Sequence, residues 1–209
     1  LSLVNCQLLR INVSESELYL PVKGMKLDAG GIAKGYAADE IVRILKEERV
    51  RRALIDLGGN IYAFGERGGT SPQNTPWRIG IRDPFQVLSE PVIRIEVTNQ
   101  SVVTSGVYER YFERDGVRYH HILDPCTGYP VRNNLMSVTI ITGSSTTADA
   151  LSTSLFLLGV EEGLRFVESM PDIEAVFITD TRQVYHTKGI TGKMKILSGD
   201  FTEAHIPEI

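Results

Sequence analysis

The chain has 209 residues and a formal net charge of −4 at pH 7, with 42% hydrophobic and 23% charged residues. This length and composition suit a globular protein of one large domain or two interlocked subdomains. The acidic balance argues against nucleic acid as a partner, and no apolar run approaches the roughly 18–20 residues of a membrane span.

The N-terminal half is predicted to contain one helix followed by short strands. The helix starts after a glycine pair and runs to about Arg49. A loop rich in Gly, Ser, Thr and Pro covers residues 65–76. The strands are expected at residues 53–57, 61–64, 77–81, 93–97 and 101–104.

The C-terminal half is predicted to contain a hairpin at 108–122, because Asp115-Gly116 supports a primed two-residue turn. Strands at 136–142, 175–179 and 184–187 surround a second helix at about 146–169, which Gly159 interrupts. The residues expected on the buried side of that helix are Leu151, Leu155, Leu158, Leu164 and Val167. Strands outnumber helices and do not alternate with them regularly, so we expect an α+β fold.

The first motif, LDAGGIAKGYAAD at residues 27–39, is called the glycine segment. Glycines before a helix allow close backbone approach, and the helix N-terminus offers free N–H groups to an anion. Lys34 in the first helical turn makes sense if a phosphate is held nearby. The glycine order is not that of a P-loop, so nucleotide triphosphate hydrolysis is not implied. A glycine-rich turn with an exposed lysine is the alternative interpretation.

The second motif, DLGGN at residues 56–60, is called the Asp56 turn. Its carboxylate, two glycines and amide lie between two short predicted strands. These side chains could line a ligand. The same residue types dominate tight turns for steric reasons, and taken alone the motif favours a turn.

The third motif, YHHILDPCTGYP at residues 119–130, is called the histidine segment and follows Thr104-Ser105-Gly106. His120 and His121 point to opposite faces if they lie in a strand, so they cannot easily bind one metal ion together. One of them could serve as a base, because imidazole titrates near neutral pH. A structural histidine beside an Asp-Pro turn is the equally weighted alternative.

The fourth motif, TTADALST at residues 146–153, is called the Asp149 segment. Asp149 and Thr153 are one helical turn apart and share a face. A carboxylate and a hydroxyl suit Mg²⁺, which uses few protein ligands and completes its shell with water and phosphate oxygens. A helix-capping region with an acidic residue in its early turns is the alternative.

In this order and spacing, the four motifs resemble those of the ApbE family of flavin transferases. The resemblance covers about residues 20–190, and the segments HHILDPCTGYPV and TTADALST are its specific parts. It implies an ApbE-like, T-fold-like mixed architecture of antiparallel sheets with a few packed helices. It also implies that residues 1–209 form a single catalytic domain of two interlocked α+β subdomains.

The resemblance implies a magnesium-dependent transferase that moves FMN from FAD to a Thr or Ser hydroxyl of a client protein. The product is a phosphoester, and AMP is released. The implied partners are FAD, as substrate, and client redox proteins that receive covalent FMN. The implied location is the cell envelope, outside the cytoplasmic membrane, with any membrane attachment through an anchor outside this chain.

The resemblance assigns the metal ligands residue by residue. Gly31 matches a position whose main-chain carbonyl binds Mg²⁺. Asp149 and Thr153 match the side-chain ligands, with the Ser152 main chain close to the same ion. Asp149 is therefore also expected to be essential for catalysis.

The resemblance likewise assigns FAD contacts. Asp28 and Lys34 match FAD-contacting positions, and Lys34 is expected to supply catalytic positive charge. His121 and Leu123 lie in the segment that flanks the flavin nucleotide. His121 is the candidate that activates the client hydroxyl.

The chain departs from the family pattern in two places. Cys126 stands where the family usually has Arg after Asp-Pro. The N-terminal region that normally supplies more of the flavin pocket is missing, which implies weaker FAD binding or a need for the rest of the protein. The alternatives are a metal-dependent FAD pyrophosphatase, which gives FMN and AMP, and a non-catalytic FAD-binding module.

Overall fold

The computed structural model of the chain describes residues 3–68, 75–86 and 90–206. Residues 69–74 of the predicted loop therefore lie outside the described part. The described residues form two α-helices, α1 (Ala33–Glu47) and α2 (Ser145–Glu168). Their strands are β1 (Arg10–Asn12), β2 (Glu17–Tyr19), β3 (Ala53–Asp56), β4 (Asn60–Phe64), β5 (Trp77–Ile81), β6 (Ile93–Val97), β7 (Gln100–Gly106), β8 (Tyr111–Arg114), β9 (Val117–His120), β10 (Leu135–Thr142), β11 (Ile173–Thr179), β12 (Gln183–His186), β13 (Met194–Ile196) and β14 (Thr202–Glu203).

A seven-stranded sheet forms the centre of the fold, in the order β14-β12-β11-β10-β7-β4-β3. Its pairs are antiparallel, except that β14 runs parallel to β12. β10 lies in the middle and places Ile140 opposite Val103 on one side and Ala175 on the other. Because β10 is almost wholly buried, the sheet is covered on both faces.

Alternation along the strands separates two hydrophobic cores. One core lies between the central sheet and a three-stranded sheet of order β13-β6-β5. It contains Val102 and Ile141 from the central sheet and Ile93 and Ile95 from the three-stranded sheet. The neighbouring residues on the same central strands face the opposite side and pack against α2. The architecture is thus a small sheet, a large sheet and a helical layer, which confirms the α+β prediction.

Helix α1 lies beside α2 on the helical side of the central sheet. Its buried positions are Gly35, Ala38 and Val42, which recur at helical spacing. Val42 packs with residues of β3 and β4, including Ile55 and Tyr62. Small residues near the start of α1 let its backbone approach α2, while larger apolar residues further along fill the space above the sheet.

Helix α2 contains the predicted break at Gly159, whose φ of 82° and ψ of −176° are not helical. The prediction that Leu158 is buried was wrong, because 42% of it is exposed. The inward face of the first half is instead formed by small and polar residues together with Leu155 and Phe156, and Leu158 points away from it. The buried residues of this half are Ser145, Ala148, Asp149, Ser152, Leu155 and Phe156.

The predicted hairpin around Asp115-Gly116 forms, with both turn residues at positive φ, as a primed turn requires. Its first strand begins at Tyr111 rather than Tyr108. The strand predicted at 101–104 extends over the whole of β7. In the described part of the chain, neither helix is long and apolar enough to span a bilayer.

Candidate functional site

The glycine segment and the Asp149 segment meet where α1 and α2 begin. Asp149 is buried, with 5% exposure, and its Oδ2 accepts a hydrogen bond from the Gly35 backbone N–H at 2.9 Å. Gly35 lies in the first turn of α1, where backbone donors lack helical acceptors. A Cβ at Gly35 would stand 2.3 Å from the Ser145 carbonyl oxygen, so only glycine permits this approach.

A second carboxylate, Asp39 of α1, contacts the first turn of α2. Asp39 of α1 accepts hydrogen bonds from the backbone N–H groups of Ser145 at 2.8 Å and Thr146 at 2.9 Å, and from the Thr146 hydroxyl at 2.7 Å. Each helix thus supplies a carboxylate to the first turn of the other. The sequence reasoning missed Asp39, although its place one helical turn after Gly35 was an available signal.

Hydroxyl groups gather beside Asp149. Ser105, near the end of β7, places its Oγ 2.8 Å from Ser152 Oγ and 3.2 Å from Thr153 Oγ1. Ser152 Oγ also donates to the Asp149 carbonyl oxygen at 2.9 Å. The sequence reasoning named Ser105 only as part of the segment that precedes the histidines and gave it no role. In the structure it connects the central sheet to the predicted metal ligands.

This donor set fits a magnesium ion. The side-chain atoms close to Asp149 that could bind a metal ion are oxygens. Within the described residues, the Asp149 Oδ1 atom accepts no hydrogen bond. No cluster of three or more His, Cys, Asp or Glu side chains suited to a metal occurs in the described part of the chain. Such a sparse oxygen site suits Mg²⁺, which fills its remaining positions with water or phosphate oxygens, better than it suits zinc.

The glycine segment forms a tight turn before α1. Asp28 Oδ1 accepts from the Gly30 backbone N–H at 2.6 Å, and the Ala29 carbonyl accepts from Ala33 at 2.8 Å. Gly31 is exposed, with open space at its Cβ position. The Lys34 side chain, half-buried in the first turn of α1, has no ion pair with any described residue. This leaves its positive charge available to an anion.

The Asp56 turn is a tight turn, as the motif taken alone favoured. Asp56 Oδ1 accepts from the Gly59 N–H at 3.0 Å, and both glycines have positive φ. The turn also borders a cavity of about 130 Å³ beside Tyr108. Burial raises the pKa of the Tyr108 phenol to about 12, with a further contribution from Glu109. This cavity is smaller than the roughly 300–1,000 Å³ of typical ligand pockets.

Asn60, at the end of the Asp56 turn, contacts the start of α2. Its Oδ1 accepts from the Ser145 hydroxyl at 2.8 Å, and Ser145 Oγ in turn lies 2.8 Å from Ser101 Oγ. All three side chains are fully buried. The Asp56 turn therefore helps to hold in place the first turn of α2, the helix that carries Asp149.

His120 and His121 face different surroundings, as their alternation predicted. The half-buried His120 ring donates from Nε2 to the Val131 carbonyl at 3.2 Å, accepts from the Ile122 N–H, and packs edge-on against Phe156. Burial lowers the pKa of His120, with smaller contributions from His121 and Arg118, while the bond to Val131 opposes the shift. His120 is a structural residue that ties the hairpin to α2.

His121 is exposed and can act as a proton acceptor. Its Nδ1 lies 3.2 Å from the Arg110 carbonyl oxygen, which can only accept, so Nδ1 carries the proton in the neutral ring. The Nε2 lone pair is then directed away from that contact. Leu123 is 51% exposed and pairs with Pro130 across the turn that follows.

The Asp-Pro turn is built around Asp124. Its carboxylate accepts from the Cys126 N–H at 2.8 Å and from the Thr127 hydroxyl at 3.2 Å. Cys126 is a free, exposed thiol. Among the described residues, no hydrogen bond joins the histidine segment to Asp149. The structure therefore brings three motifs together and leaves the fourth on an adjoining surface.

A larger cavity, of about 680 Å³, lies at the C-terminal end of α2. Its described lining includes Arg165, Glu168, His186 and Glu203. No described lining residue belongs to any of the four motifs, and so this cavity is separate from the candidate site.

Comparison with known proteins identifies what the chain is similar to. The sequence model of the ApbE family matches residues 1–177. An FAD:protein FMN transferase of Treponema pallidum is 45% identical over 85% of this chain and 50% of its own length. A protein of the same name from Klebsiella pneumoniae is 43% identical over 88% of this chain and 55% of its own length. The chain thus spans about half the length of these curated relatives.

Solved structures give the same picture. The ApbE protein of Thermotoga maritima superposes with a TM-score of 0.76 at 35% identity, covering 88% of this chain and 58% of that one. The apo form of the flavinyl transferase ApbE from Pseudomonas stutzeri gives a TM-score of 0.73 at 36% identity, covering 92% of this chain and 58% of that one. The ApbE-like mixed α+β architecture expected from the sequence is that of these structures.

Proposed function

The chain belongs to the ApbE family, and from this membership we propose that it forms the flavin-transferring part of an FAD:protein FMN transferase. The observation that carries the proposal is the hydrogen bond between Gly35 and Asp149. It joins a glycine-rich, phosphate-compatible turn to a helix that presents a buried carboxylate and two hydroxyls. These are the two features that a metal-assisted reaction of a diphosphate requires.

The proposed reaction is phosphoryl transfer to a hydroxyl. A Thr or Ser oxygen of the client attacks the FMN phosphorus within the FAD diphosphate. A new phosphoester bond forms, the bond to the AMP phosphate breaks, and AMP leaves. The hydroxyl proton passes to a base of this chain.

The residues proposed to hold Mg²⁺ are Asp149 and Thr153 through side chains, and Gly31 and Ser152 through the main chain. When bound, the ion supplies positive charge that neutralises the diphosphate oxygens. Ser105 holds the hydroxyls of Ser152 and Thr153 against β7. The buried Asp149 side chain contributes carboxylate oxygens whose position is fixed by the hydrogen bond from Gly35.

Lys34 and Asp28 are proposed to contact FAD. Lys34 supplies a cation at the turn that would receive the diphosphate, which favours the charge on the transferring group. Asp28 folds back onto the N–H of Gly30 and sets the shape of that turn. Leu123, exposed beside His121, offers apolar surface to the flavin nucleotide.

His121 is proposed to accept the proton of the client hydroxyl through Nε2. His121→Ala should lower the rate of transfer by about 10²–10⁴-fold, the usual contribution of general base catalysis. His205→Ala, which removes another exposed imidazole, is the control and should leave the rate unchanged. A loss below about tenfold for His121→Ala would remove His121 from this role.

The function is tested by incubating the protein with FAD and Mg²⁺, with and without a peptide that carries an acceptor Thr. Mass spectrometry of all products then distinguishes three activities. A peptide that gains FMN, with release of AMP, supports the transferase. Free FMN and AMP beside unmodified peptide indicate a pyrophosphatase, in which water replaces the client hydroxyl. FAD that stays bound and intact indicates a binding module.

We further propose that the clients are redox proteins with covalent FMN and that transfer occurs in the cell envelope, outside the cytoplasmic membrane. Any membrane attachment would come from an anchor outside this chain. The family membership supports this proposal. In-gel flavin fluorescence of envelope and cytoplasmic fractions, compared with and without the protein, would test it, and labelled bands confined to the cytoplasm would contradict it.

A further inference from the structure

Asp39 makes more contacts with the start of α2 than a local helix cap would need. It accepts from two backbone N–H groups, at Ser145 and Thr146, and from the hydroxyls of Thr146 and Ser144. Helix α2 already has its own cap, because Ser144 Oγ accepts from the Thr147 N–H at 3.2 Å. The contacts of Asp39 therefore serve to tie α2 to α1.

The two carboxylate contacts between the helices form a reciprocal pair. Gly35 and Asp39 are one turn apart on α1, and Ser145 and Asp149 are one turn apart on α2. One turn is about 5.4 Å along a helix axis. A single contact would leave the helices free to pivot about it. Two contacts a turn apart fix both the separation of the helices and the angle at which they cross.

The start of α2 is also fixed to the central sheet. Ser145 donates through its hydroxyl to the buried Asn60 of β4 and lies within hydrogen-bond distance of Ser101 of β7. Among the described residues, hydrogen bonds join α2 to α1 at two places. One is the bond from Gly35 to Asp149, and the other is the set of bonds that Asp39 accepts. Loss of Asp39 would leave α2 anchored to the sheet, but among the described hydrogen bonds only that from Gly35 to Asp149 would still join the first turn of α1 to α2.

We infer that Asp39 is a positioning residue, which holds α1 against α2 so that Gly31 and Asp149 stay in register as ligands of one metal ion. This inference rests on the proposed function, because it assumes that the metal site exists. Asp39 itself contacts neither the ion nor the substrate. It acts through the two helices.

The test is a titration of the protein with Mn²⁺, which shares the oxygen preference and octahedral geometry of Mg²⁺ and is read by electron paramagnetic resonance. Asp39→Ala should raise the apparent dissociation constant about tenfold, as loss of a group that orients a metal ligand typically does. Asp39→Asn should give a smaller increase, because its amide oxygen still accepts from one N–H group. In both variants the rate of FAD cleavage at saturating metal should recover to within about threefold of the original, since the reacting groups are intact.

The matched control is Glu40→Gln, which removes the neighbouring carboxylate. Among the described residues, Glu40 pairs only with Arg43, at 3.0 Å on the surface, and its replacement should leave Mn²⁺ binding unchanged. Near-UV circular dichroism verifies that each variant is folded, and if Asp39→Ala does not fold, Asp39→Asn decides the question.

Three results would overturn the inference. The first is a folded Asp39→Asn protein that binds Mn²⁺ as tightly as the original. The second is a rate that falls in proportion to the folded fraction and does not recover at saturating metal, which would mean a purely structural role. The third is an original protein that binds no Mn²⁺, which would remove the proposed metal site and this inference with it. The third result is seen with the original protein, before any substitution is made. It therefore separates failure of the proposed metal site from failure of the role inferred for Asp39.

Discussion

At the scale of single residues, Gly35, Asp39 and Asp149 make the hydrogen bonds that join α1 to α2. Local sequence could single out Gly30, Gly31 and Asp149 as candidates, although a glycine-rich turn and a helix-capping region also explain them when each motif is taken alone. It could not pair Asp39 with Ser145, since that contact joins residues 106 positions apart and depends on tertiary packing. Alternation predicted that the two histidines point apart, but Phe156 of α2 decides which one is covered.

Gly35→Ala should destabilise the protein, although alanine favours helices over glycine by about 1 kcal/mol. The new methyl group would meet the Ser145 carbonyl at 2.3 Å and force the helices apart. Overpacking of this kind costs about 1–3 kcal/mol, which urea unfolding would measure. Gly199→Ala is the control, because no atom of the described residues lies within 4 Å of the added atom. A Gly35→Ala protein as stable as the original would contradict the close approach.

At the scale of elements, periodicity predicted both helices, the break at Gly159 and the central strands, because those segments are long and strongly patterned. It missed β1, β2, β13 and β14. These strands are short, and three of them are exposed or nearly so, so they lack the alternation that marks a half-buried strand. The misplacement of Leu158 has a related cause, because the inward face of α2 is polar where it meets α1.

The break in α2 leaves a backbone acceptor that another segment satisfies. Asn133 donates from Nδ2 to the Phe156 carbonyl at 2.7 Å, and its Oδ1 accepts from the Leu135 N–H at 3.1 Å. Asn133→Ala should lower the free energy of unfolding by about 1–2 kcal/mol, since it leaves the carbonyl unpaired. Asn134→Ala, at the exposed neighbouring position, should change the free energy by less than about 0.5 kcal/mol. Equal effects from the two substitutions would contradict the capping role.

His120 ties the hairpin of β8 and β9 to α2, and this contact should make the stability of the folded protein depend on pH. The pKa of His120 is lowered in the folded protein, mainly by burial, so below the usual imidazole value of roughly 6.5 the unfolded state binds more protons. The stabilisation is complete above that pH and is lost as pH falls toward the lowered pKa. Urea midpoints should therefore decrease as pH falls below about 6.5. His120→Gln should reduce that decrease, and an unchanged pH profile would contradict the assignment.

At the scale of the whole molecule, the α+β class could be anticipated, but the arrangement of its layers and the strand order could not. The central sheet places β10 between β7 and β11, while β4 and β3 extend it beyond β7, and these pairings depend on contacts remote in sequence. Residues beyond the stretch that matches the family model also contribute, since β12 and β14 extend the large sheet and β13 completes the small one. The site depends on this arrangement, because β4 and β7 support the start of α2 through Asn60, Ser101 and Ser105.

The central claim is that a metal-dependent transfer of FMN occurs where α1 meets α2. The most direct test is the amount of FMN attached to a Thr-bearing acceptor peptide in Mg²⁺, measured by mass spectrometry for the original protein and for Asp149→Asn. We predict labelled peptide for the original protein, a loss of at least about 10²-fold for Asp149→Asn, and full activity for Glu162→Gln, an exposed position of the same helix. Undiminished labelling by Asp149→Asn, or labelling by the original protein without any divalent metal, would contradict the account.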